Sequence, residues 1–77
     1  MTYLRDLQIG DKVHLHYQEE SGSYKTELNI ITDIDKRRDR ITNEDYTIIS
    51  INPLQRFDSR DGTAVSPPLS YYITPIV

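Results

Sequence analysis

Apolar and polar residues alternate with a period of two through Lys12–Gln18 and again through Tyr24–Asp35, and no other feature constrains this chain as strongly. A strand turns successive side chains to opposite faces, so this pattern marks strands with one buried face. In the first run, Val13, Leu15 and Tyr17 form one row and Lys12, His14, His16 and Gln18 the other. In the second, Tyr24, Thr26, Leu28, Ile30, Thr32 and Ile34 are expected to form the inner row. The odd positions form a charged outer row broken only by Ile31, giving one long second strand. Glu19–Ser23 is polar, contains Gly22 and reads as the loop of an antiparallel hairpin.

The remaining chain continues in short strands. Lys36–Asp39 reads as a turn and Arg40–Thr42 as the start of a third strand, interrupted at Asn43–Asp45. Tyr46–Ile51 is strand-like, with Ile48, Ile49 and Ile51 supplying apolar side chains to both faces. Such a strand is buried on both sides or carries a bulge. Asn52-Pro53 stops it, and Leu54–Asp58 forms a short strand around Phe57. Asp58–Gly62 is a turn, Thr63–Val65 continues from it, and Ser66-Pro67-Pro68 is a stiff connection. Leu69–Pro75 is the last strand, with Leu69, Tyr71 and Ile73 in one row and Tyr72 opposite. Helix is limited to one turn over Thr2–Leu7, where Leu4 and Leu7 stand at i, i+3. The expected fold is all-β: a single domain over residues 1–77, a small barrel of about five antiparallel strands with at most one short helical turn.

Composition narrows the function. A chain of 77 residues buries roughly 60% of the surface its unfolded form exposes, so its stability needs support. Cysteine is absent, which removes disulfides, zinc–thiolate sites and thiol nucleophiles together and points to a reducing, cytoplasmic setting. No apolar run is long enough for a membrane span or a signal-peptide core. Twelve acids against nine Lys and Arg give a net charge of −3, the wrong sign for general nucleic-acid binding. Six tyrosines supply nearly all the aromatic mass, and tyrosine suits half-buried strands and interfaces.

Two segments carry a resemblance. Leu7-Gln8-Ile9-Gly10-Asp11-Lys12-Val13 looks like the lead-in of many SH3-like small barrels, where an apolar residue and a Gly-Asp turn precede the first strand. Arg56–Val65, with the strand before it, resembles the late hairpin of short β-barrel proteins encoded by bacteriophages and other mobile elements. The resemblance implies an SH3-like barrel that acts as an adaptor or inhibitor, for example on a host protein of a defence or replication system. The acidic balance departs from nucleic-acid-binding members of such barrels.

Candidate sites follow from the pattern. Tyr72 stands outside if Tyr71 is core, in one row with Thr74 and Ile76, and an exposed tyrosine beside isoleucine is an interface anchor. Protein binding through Tyr72, Thr74 and Ile76 is therefore the leading expectation, with a homodimer as a further possibility for so small a sheet. The alternative is a nucleic-acid contact through Lys36, Arg37, Arg38 and Arg40, set against a solvated basic turn. His14 and His16 lie two apart on one face, but two ligands do not make a metal site. A metal-dependent enzyme there ranks third. Asp33, Asp35, Asp39 and Glu44 approach a calcium-loop frame, which fails because Arg37 and Arg38 occupy its fifth and sixth positions. No nucleophile elbow or phosphate-binding glycine loop is present, so no catalysis and no cofactor are expected.

Overall fold

A computed structural model describes residues 3–76. The alternating segments form six strands: β1 (Lys12–Gln18), β2 (Tyr24–Ile30), β3 (Asp33–Arg38), β4 (Asp45–Asn52), β5 (Gln55–Asp58) and β6 (Tyr72–Pro75). They make two three-stranded antiparallel sheets, ordered β2-β1-β6 and β3-β4-β5. The all-β expectation holds, but the strands do not close into one barrel. A short 3-10 turn at Leu4–Asp6 precedes β1 and buries Leu4, with Leu7 packed on the core. Thr2 of the expected turn lies outside the described residues.

The single long strand expected over Tyr24–Asp35 is two strands in different sheets. The chain changes sheet at Ile31 and Thr32. Ile31 N–H donates to Asp11 O at 2.8 Å in the first sheet, while Thr32 N–H donates to Ser50 O at 2.8 Å in the second. Ile31 is buried at this corner, which explains why it broke the charged row. Val13, Leu15 and Ile73 of the first sheet meet Ile49, Ile51 and Phe57 of the second, with Leu4 and Ile31 completing one shared core. Tyr17 and Tyr71 stack at 5.0 Å between centroids along its margin.

The expected inner row of β2 is the outer row. Val13 pairs with Asn29, Leu15 with Glu27 and Tyr17 with Lys25, so the odd residues of β2 share the core-side face with the apolar row of β1. Tyr24, Leu28 and Ile30 are exposed on the opposite face. On the core side, Tyr17 donates its hydroxyl proton to Glu27 Oε1 at 2.8 Å. The Asn29 Nδ2 is buried without a hydrogen-bond partner among the described residues.

In the second sheet, β4 is both buried on two faces and bulged. Ile49 and Ile51 enter the core, Ile48 is buried on the other side, and the register to β5 shifts between Ser50 and Asn52. Lys36–Arg38 belongs to β3 rather than to a turn, and Arg40–Thr42 is in the turn rather than at the start of a strand. Asp39 fixes this turn: its Oδ1 accepts the N–H groups of Ile41 at 2.9 Å and Thr42 at 3.2 Å, and Asn43 takes a φ of 58°. The last strand is shorter than expected, because Leu69 is exposed and pairing begins at Tyr72.

Candidate functional site

Three strands place the candidate residues on the outer face of the first sheet. Directly opposite residues share a face, so β1 aligns His14 with Leu28 and His16 with Thr26 on one side. On its other side β1 aligns His14 with Thr74 and His16 with Tyr72. Tyr72 and Thr74 therefore join His14 and His16, two sets of residues that the sequence kept apart. Ile76 lies just beyond β6 and is exposed.

His16 is the centre of this arrangement. Its Nε2 is 2.7 Å from Thr74 Oγ1 and its Nδ1 is 3.1 Å from Thr26 Oγ1, so hydroxyls from both flanking strands hold the ring. Either neutral tautomer is satisfied, because a hydroxyl both donates and accepts. Tyr72 stacks on one face of the ring. Partial burial, and then the neighbouring His14, lower the His16 pKa below its usual 6.5. An open groove of about 360 Å³ runs beside His16, walled by Tyr24, Thr26 and Tyr72.

The face carries exposed aromatic and aliphatic side chains and no strand residue that is an acid. Tyr24 is 83% exposed, Leu28 57%, Ile30 52% and Tyr72 45%. None of the strand residues aligned on this face is Asp or Glu, although the chain carries twelve acids. Lys12 and Gln18 stand at its ends. The sequence pattern missed Tyr24, Leu28 and Ile30 as surface residues, because hydrophobicity alone assigned them to the core. Among the described residues no third His, Asp or Glu joins His14 and His16 in a group able to hold a metal ion.

Two of the four cations of the basic segment are engaged by carboxylates. Arg37 reaches Asp35 at 2.7 Å, and Arg38 forks onto Asp45 at 2.8 and 3.3 Å, which holds the Asp45 carboxyl below its usual range. Lys36 lies on β3 and Arg40 at the exposed turn, so the four cations do not converge on one point. A separate polar cluster sits behind this turn. Arg60 binds Asp58 at 2.6 Å and Asp39 at 3.0 Å, and its guanidinium lies 3.8 Å from the centroid of Tyr46. These contacts tie the β3–β4 turn to the turn after β5.

The fold and this face together define a small all-β protein of two three-stranded sheets with an aromatic, acid-free outer surface. No helix of the described residues is long and apolar enough to cross a membrane. The chain matches no protein-family model, no curated protein and no solved structure.

Proposed function

We propose that this chain is a non-catalytic protein-binding module that works through the outer face of the β2-β1-β6 sheet. One observation carries this reading: Tyr24, Leu28, Ile30 and Tyr72 stand exposed together on a face without a carboxylate. Apolar and aromatic side chains grouped this way are the usual anchors of an interface, and scattered single exposures are not. The clamp of Thr26, His16 and Thr74 fixes the middle of the face, so little order is lost on binding. The complementary partner surface is apolar and edged by acids, facing Lys12. Within this reading the two sheets are an SH3-like barrel left open at its seams, of the kind encoded by phages and mobile elements. The partner is then a host protein in the reducing cytoplasm.

The nucleic-acid reading has less support, since Arg37 and Arg38 already meet Asp35 and Asp45. Affinity capture from the host cell separates the two. Wild type retains a partner identified by mass spectrometry, while Tyr72→Ala weakens it roughly 30-fold and Leu28→Glu abolishes it. Lys36→Glu and Arg40→Glu leave it unchanged. Capture that survives Tyr72→Ala and Leu28→Glu but disappears with the basic-segment variants overturns the proposal.

A further inference from the structure

The geometry points to a second copy of this chain as the occupant of the β2 edge, and we propose that two copies join their β2 strands antiparallel into one continuous sheet. β2 is an outside strand of its sheet, and its hydrogen-bonding phase is fixed at both ends. Glu19 N–H donates to Ser23 O at 2.8 Å, and Ile31 N–H donates to Asp11 O at 2.8 Å. Between them the bonded pairs are Tyr17 with Lys25, Leu15 with Glu27 and Val13 with Asn29. The N–H and C=O groups of Tyr24, Thr26, Leu28 and Ile30 therefore point away from β1, and no backbone partner meets them among the described residues.

A two-fold axis makes such a pairing isologous, and the sequence of β2 selects the axis. Outward groups lie on even residues, so even must meet even across the pair. An axis at Thr26 sets Tyr24 against Leu28 of the second copy on the outer face. On the other face it sets Lys25 against Glu27 of the second copy, twice by symmetry. It also sets Ser23 of the second copy opposite Asn29. An axis at Lys25 or Glu27 would oppose like charges instead. An axis at Leu28 would bring Tyr24 against Thr32 of the second copy, whose backbone N–H is already given to Ser50 O. Of these four axes, the Thr26 register alone satisfies charge, apolar contact and backbone at once.

Edge pairing of this length buries little side-chain surface and falls in the class of weak interfaces, so the dimer is concentration-dependent. It uses the strand edge and does not rest on the outer-face reading. Sedimentation equilibrium up to roughly 1 mM chain is the test. Wild type rises from 9.0 kDa toward twice that mass. Lys25→Glu and Glu27→Lys each weaken association at least tenfold, while the double variant restores it, because the charges exchange across the axis. Circular dichroism checks that each variant is folded. Hydrogen exchange gives a second readout: the amides of Tyr24, Thr26 and Leu28 gain protection with concentration and that of Thr74 does not. Tyr72→Ala leaves the dimer intact even where it weakens partner capture. A mass that stays at 9.0 kDa, single variants that associate like wild type, or a folded double variant that stays monomeric each overturns the proposal.

Discussion

The imidazole of His16 lies nearly parallel to the ring of Tyr72, with 4.7 Å between centroids and 15° between planes. Residues far apart in the chain thus meet on adjacent strands, and the stack shields the imidazole from water. Burial disfavours the charged ring, so His16 titrates below 6.5. The unfolded chain then binds a proton before the folded one does. Stability is unaffected above the ordinary histidine range and falls as pH drops from about 6.5 toward the folded pKa. Ring-nitrogen NMR should find His16 below 6.5, and Tyr72→Ala should move it back up by exposing the ring. An unchanged His16 titration in that variant would show that the stack is not what buries it.

Tyr17 offers an opposite titration. Its hydroxyl donates to Glu27, and this bond, with burial and the charge of Glu27, pushes its pKa up to about 12. The folded state holds the proton where the unfolded chain has released it, so stability declines as pH rises above about 10. An ultraviolet phenolate titration should show one tyrosine ionising last. Glu27→Gln should return that tyrosine toward its five neighbours in type.

Acid should loosen the cluster around Arg60. Hydrogen bonds from Arg60 hold the Asp58 carboxyl below its usual range, and backbone N–H groups of Ile41 and Thr42, with Arg60, do the same for Asp39. Both groups have lowered folded pKa values, so their stabilisation is complete above the ordinary aspartate pKa near 3.9 and is lost as pH falls through the folded values. Asp58→Asn should cost about 1–3 kcal/mol at neutral pH, because Arg60 loses its charged acceptor in a half-buried site. Melting curves from pH 7 to about pH 2 should be flatter in this variant than in wild type.

Gly62 is a backbone requirement. Its φ is +80°, its N–H donates to Asp58 O at 2.8 Å, and its O accepts from Ile73 N–H at 2.8 Å. A Cβ there would collide with the Ile73 carbonyl oxygen and press on Leu4 Cδ1. Gly62→Ala should therefore destabilise by about 2 kcal/mol or more, through strain and through displacement of β6. Gly10→Ala meets no atom within 4 Å and should cost less despite its φ of +95°. Chemical denaturation of the two variants compares them directly.

Much of the fold was legible from alternation and turn chemistry. β1, the Glu19–Ser23 loop, the bulged β4 and the Gly62 turn lie where residue types place them. The orientation of β2 was not legible from hydrophobicity, because its apolar residues face outward and Lys25 and Glu27 face the core side. The hairpin held the missing signal. With Glu19 bonded to Ser23, odd residues of β1 must oppose odd residues of β2 whatever their polarity. The basic segment misled for a related reason: charges on an outside strand such as β3 look like a turn when paired acids keep them soluble. For the candidate site, Tyr72 and Thr74 were visible as an outer row. Their meeting with His16 was not, because strand order is a tertiary property.

The order β2-β1-β6 also sets an assembly sequence. His16 and Thr74 are 58 positions apart, whereas the β1–β2 hairpin and the β3-β4-β5 meander each form from neighbouring segments. Local pairings close small loops and form early, and the closure of β6 onto β1 is the slow, long-range event. Until it happens β1 has one bare edge and His16 has neither Thr74 nor Tyr72. A nascent or truncated chain therefore makes its turns and hairpins before it completes the outer face of the first sheet, and quality control that senses this chain has that unfinished edge to recognise.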